Sequence, residues 1–204
     1  LPKPRLTQKP KPKTTKKSLN NQEKGRGLET PALPENLTPS KAQRKYQDTA
    51  AKLRDIELVK SKMHMQRKMQ VSYDGSDPDL IAFYLKFRSA LERHGYAFYA
   101  HCLVRSNEEQ YRLWRAGRSK ARPGLSAHNH GMAVDVVHSV RHWDLNVYEW
   151  GLIGTIGKET ARKMNIKVNW GGDWGANWDA SPPQRGWDPA HWELADWKQR
   201  AQLS

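Results

Sequence analysis

The sequence is poor in cysteine: Cys102 stands alone in 204 residues, so no disulfide closes within the chain and cysteine usage leaves the redox compartment open. Long apolar runs are also missing. No stretch approaches the ~20 apolar residues that a membrane-spanning helix needs, and no apolar core follows the basic residues at the start, as a secretory signal peptide requires. The chain begins at Leu1, not Met, which points to processing or excision from a longer precursor. The first 40 residues contain no aromatic side chain, whereas all nine Trp fall between Trp114 and Trp197. A segment so poor in apolar surface cannot offset the entropy lost on ordering it. Residues 1–39 are therefore expected to form a disordered basic tail.

Charge is distributed as unevenly as the aromatics. Residues 1–70 carry 18 Lys and Arg against 6 Asp and Glu, leaving 17 against 15 for the rest. The net charge of +14 is thus expected to belong to the N-terminal extension. Such an extension could bind an anionic polymer, nucleic acid or an anionic surface by charge alone, or act only as a solvated linker.

Residues 40–70 lose Gly and Pro and space their apolar side chains as one long amphipathic helix, a linker or anchor capped by Ser40 or Thr38. The globular domain is expected over residues 75–204. Asp77 and Pro78 open a helix whose face carries Leu80, Ile81, Tyr84, Phe87 and Leu91, and Gly95 stops it. YAFYAHCLVR (96–105) reads as a buried strand, and Ser106 with Glu109 as a capping box. MAVDVV, KVNWGGDW and the surroundings of AHWEL supply further strands, with a helix from about Asp144 to Met164. The irregular alternation predicts an α+β fold, a small antiparallel sheet flanked by helices.

Eight His are spread along the chain, so a single one carries little weight. His128 and Asp135 are joined by a compact linker in which Gly131 permits a sharp turn. Two nitrogens and a carboxylate oxygen, with water in the fourth place, suit catalytic zinc, and His191 supplies the second nitrogen. Asp188, three residues before His191 and stiffened by Pro189, is placed to take a proton from the attacking water. Glu193 shares a strand face with His191 and suits orienting its imidazole; an ordinary surface ion pair is the alternative. Ser126 lines the pocket or merely caps a turn. Trp174, Trp178, Trp187 and Trp192 are the indoles nearest these motifs and are candidate cleft residues, while His138 and His142 are not expected as ligands.

Together these segments resemble a known family. Ser126-Ala-His128-Asn-His-Gly131-Met-Ala133-Val-Asp135 is similar to the SxHxxGxAxD signature of the M15-type peptidases, which include D-alanyl-D-alanine carboxypeptidases, D,D-dipeptidases and L-alanyl-D-glutamate endopeptidases. Asp188-Pro-Ala-His191-Trp-Glu193 resembles their second motif, and WGGDW (170–174) and VRSNEEQ (104–110) resemble further landmarks. The resemblance spans about residues 78–198. It implies a hedgehog/D,D-peptidase-like fold, one zinc ion held by His128, Asp135 and His191, Asp188 as general base, and Arg105 as the cation stabilising the oxyanion. It places His130 outside the ligand set, as a pocket or supporting residue with Ser126, Glu193, Trp174 and Trp192. The DxxHxE form is closer to the phage endolysin and L-alanyl-D-glutamate branch. The implied activity is cleavage of peptidoglycan stem peptides by a phage lysis or virion-associated enzyme, found in the virion or in the host cytoplasm before lysis and acting on the wall. A D-alanyl-D-alanine carboxypeptidase of the envelope and an inert zinc-containing module, as in hedgehog domains, remain alternatives.

Overall fold

A computed structural model describes residues 39–203. The tail expected over 1–39 lies, Pro39 apart, outside the described residues. Residues 41–69, expected as a single helix, form three: α1 (Lys41–Leu53), α2 (Ile56–Lys60) and α3 (Lys62–Met69). The breaks have local causes. Asp55 accepts from Leu58 N and Ser61 from His64 N, so each starts a new helix as its N-cap. Nor are these helices a detached linker. Leu53 and His64 are buried at 3% and 0% exposure, and His64 Nδ1 lies 2.7 Å from Ser139 Oγ of the central domain.

α4 (Pro78–Arg93) begins as the sequence indicates, with Asp77 accepting from Asp79 N. β1 (Phe98–Cys102) follows, then α5 (Asn107–Arg115), a 3-10 turn (Ala127–His130), β2 (Ala133–His138), α6 (Val147–Met164), β3 (Val168–Trp170), β4 (His191–Leu194) and the short α7 (Trp197–Arg200). The four strands form one sheet in the order β1-β2-β4-β3, with every neighbouring pair antiparallel. The α+β expectation of a small antiparallel sheet flanked by helices is the architecture observed. Among the described residues no helix is long and apolar enough to cross a membrane.

Side chains alternate across a strand, and this divides the sheet into a packed face and an open one. Trp192 and Leu194 of β4 are fully buried, and Trp192 packs against Phe83 and Phe87 of α4 at 5.6 and 5.0 Å between ring centroids. α6 approaches this face through Gly154 and Gly157, where any Cβ would collide with the indoles of Trp170 and Trp192 respectively. The two bare helix positions thus make room for two stacked indoles 5.5 Å apart. His191 and Glu193, one position out of phase with Trp192, are left to the opposite face.

Candidate metal centre

Sheet register assembles the site. Cys102 pairs with Asp135, and Asp135 with His191, so three chemically active residues lie in one row across β1, β2 and β4. A register shift between Ala100 and Cys102 brings Cys102 into that row. His128 reaches it from the 3-10 turn, which ends at Gly131 in the left-handed conformation at φ 66°. Gly131 is needed for a second reason, since a Cβ there would strike the carbonyl oxygen of Gly75.

His128 Nε2, His191 Nδ1 and Asp135 Oδ1 form a triangle whose three sides are each 3.2 Å. A tetrahedral zinc ion with bonds of ~2.0–2.1 Å sets its ligand atoms ~3.3 Å apart, so this triangle fits one with almost no movement. The other nitrogen of each ring is engaged. His128 Nδ1 donates to Leu103 O at 2.9 Å, and His191 Nε2 to Glu193 Oε2 at 3.2 Å. Those bonds turn the second nitrogen of each imidazole into the triangle. Cys102, His128 and Asp135 also place ligand atoms within 4.8 Å of one another. We take the two imidazoles and the carboxylate as the primary donors, because their separations match the bond lengths and the far nitrogen of each ring is already engaged.

The charge of Asp135 dominates the electrostatics of the two imidazoles. Burial disfavours a charged His128, but attraction to Asp135 and a hydrogen bond with it outweigh burial and raise its pKa to about 10. His191 is raised in the same way. Burial would push Asp135 up, yet the two imidazoles hold it well below the usual carboxylate range. Asp135 splits its oxygens: Oδ1 faces the two rings and Oδ2 accepts from Arg105 Nη2 at 3.3 Å. Arg105 Nη1 in turn donates to Gln110 Oε1 at 3.0 Å.

Asp188 lines the same cleft, a cavity of about 1320 Å³. Burial and then the charge of Asp135 raise its pKa from the ordinary value of an aspartate. WGGDW explains how its segment comes so close. Trp170 Nε1 donates to Pro189 O at 2.8 Å, and a Cβ on Gly171 would strike the carbonyl of Asp188.

The remaining expected residues divide. Ser126, Glu193, Trp174 and Trp187 line the cleft, with Trp174 packed on His191 at 5.2 Å and on Trp187 at 5.0 Å. Trp192 does not: strand alternation puts it in the core at 0% exposure, where substrate cannot reach it. Trp178 stacks on Trp170 at 5.5 Å instead of facing the cleft. His130 is also outside the cleft, held by Gly124 O at 2.9 Å and stacked beside Trp197 at 6.0 Å. Cys102, Arg67 and Trp143 also line the cleft, though the motifs do not mark them as site residues, and Gln110 belongs to the VRSNEEQ landmark without a role assigned to it. Cys102 carries a readable signal, as a lone thiol at the end of a strand that leads into Arg105.

No protein-family model matches the sequence, and no curated protein matches it. Among solved structures, the chain is similar to the L-Ala D-Glu endopeptidase ChiX of Serratia marcescens, at 26% identity over 64% of this chain and 87% of that one, with a TM-score of 0.46. It is also similar to the LdcB LD-carboxypeptidase, whose structure concerns peptidoglycan recognition, at 20% identity over 65% and 75% of the two chains and a TM-score of 0.43.

Proposed function

We propose that the chain is a zinc peptidase that hydrolyses an internal bond of bacterial peptidoglycan stem peptides, in the manner of an L-alanyl-D-glutamate endopeptidase. The observation that carries the metal chemistry is the 3.2 Å triangle of His128 Nε2, Asp135 Oδ1 and His191 Nδ1, with the far nitrogen of each ring held by Leu103 O or Glu193. The substrate class rests on the resemblance of the two sequence motifs, and so does the phage setting, in the virion or in the host before lysis.

When bound, a single zinc ion supplies a Lewis acid that polarises the scissile carbonyl and acidifies water. The protein's own groups do the rest. Asp188, with its raised pKa, is a stronger proton acceptor than an exposed carboxylate; it takes the proton of the attacking water and returns it to the leaving amine. Arg105 holds Asp135 through Oδ2 and keeps a fixed positive charge beside the place where the oxyanion develops. Trp174 and Trp187, packed on each other, form an aromatic wall along one side of the cleft.

Three variants and one digest test this reading. His128→Ala and His191→Ala should lose both the metal, measured by elemental analysis, and cleavage. Asp188→Asn should keep the metal while slowing cleavage by ~100-fold or more. Undiminished turnover by Asp188→Asn would remove the assigned base. With purified muropeptides, mass spectrometry should find new termini inside the stem; release of free D-Ala would identify a carboxypeptidase instead.

A further inference from the structure

Two cations at the lip of the cleft have no part in the centre. Arg118 and Lys120 lie on the loop between α5 and the 3-10 turn, and both line the cavity. Among the described residues neither has a carboxylate within the 4.0 Å of a salt bridge. The acids lining the cleft away from the centre are Asp74 and Glu109, and neither pairs with them.

The loop is nevertheless tied down. Gln110 is wholly buried, and its Nε2 donates to Ser119 Oγ at 2.8 Å and to Ala121 O at 2.7 Å. Lys120 is therefore flanked on both sides by residues bound to the amide that also holds Arg105. Its Nζ sits 4.1 Å from the centre of the Trp187 ring. Trp187 packs on Trp174, and Trp174 on His191, at 5.0 and 5.2 Å. A row of aromatic rings thus leads from a metal donor to an ammonium without a carboxylate partner, over a distance that about four extended residues of peptide would cover.

A half-exposed cation–π contact is weaker than a charge-assisted hydrogen bond to a carboxylate, and an ammonium has three donors to offer. We propose that Lys120, with Arg118 on the same loop, is a specificity-determining subsite for a substrate carboxylate lying within about four residues of the cleaved bond, so that the enzyme selects acidic peptides over their carboxamides. This rests on the peptidase reading above.

The test uses synthetic stem peptides in which each carboxylate in turn is replaced by its carboxamide, assayed with the full zinc-loaded chain. For one of these pairs the native protein should show kcat/KM ~10-fold or more in favour of the acid, chiefly through KM. Lys120→Gln should bring that ratio to within about twofold, and Lys120→Arg should restore most of it. A ratio that survives Lys120→Gln, or native protein that discriminates at no carboxylate, overturns the subsite. Calorimetric binding of the same pairs to Asp188→Asn reads the subsite without turnover: tighter binding of the acid supports it, and equal binding overturns it. Failure of the native protein to cleave any peptide would count against the peptidase reading alone, with calorimetry still deciding the subsite.

Discussion

Glu193 makes a test of tautomer control at the scale of one residue. It accepts from His191 Nε2 at 3.2 Å and from Asn169 Nδ2 at 3.3 Å, and so fixes which nitrogen His191 presents. Glu193→Gln should weaken metal affinity by ~10–100-fold, measured by competition with a chromophoric chelator; unchanged affinity would mean that His191 is oriented by something else. His138 is a buried neutral imidazole, with Nδ1 accepting from Val140 N and Arg141 N at 3.2 Å each. Burial, then the charge of Arg141, lowers its pKa to about 4 from the ordinary 6.5. Because the folded value is the lower one, the unfolded chain takes up a proton that the native state refuses. Stability is then full above about pH 6.5 and falls toward pH 4, by ~2–3 kcal/mol in all. Urea unfolding across that range should show the fall, and His138→Gln should flatten it. Of the residues in the site, His128, Asp135, His191, Asp188 and Glu193 stood out because their identities and spacing make a pattern. Gln110 stood out only as the end of the VRSNEEQ run, since a buried amide on an otherwise solvated helix leaves no periodic trace of what it holds.

Among the elements, α6 shows why propensity misleads. Gly151, Gly154 and Gly157 look like obstacles to a helix, each costing up to ~1 kcal/mol relative to Ala. In the fold the last two are where Trp170 and Trp192 enter. Gly157→Ala should therefore destabilise by ~1–3 kcal/mol through overpacking, despite its better propensity. A drop in melting temperature of ~3–10 °C would register it; a rise would show that the indole has room to move. The same packing displaced Trp192 from the cleft. Proximity to His191 in sequence made it look like a substrate residue, but neighbours on a strand face opposite ways.

For the whole molecule, the main revision concerns where the domain begins. Nine of the 18 basic residues in 1–70, and three of the six acidic ones, lie after residue 40, on α1 to α3 or in the break between α1 and α2. Half of that charge excess is therefore carried by folded structure, and α3 contributes Arg67 to the cleft wall. The continuous apolar spacing across 46–63 concealed the two breaks, which Asp55 and Ser61 make as N-caps. Burial of Leu53 against other elements depends on tertiary packing, which a local pattern cannot report. Leu53→Ala should cost ~2–4 kcal/mol in urea unfolding, whereas a detached linker helix would show almost no change.

The row that joins Cys102, Asp135 and His191 has a practical corollary. Because Cys102 is the chain's sole thiol and lines the cleft within 4.8 Å of two donor groups, a thiol-reactive fluorophore added to the native sequence would have one attachment point. That point lies beside the candidate metal centre. The protein thus carries an intrinsic reporter position, and the rate at which it reacts would signal what occupies the cleft, with no engineered cysteine needed.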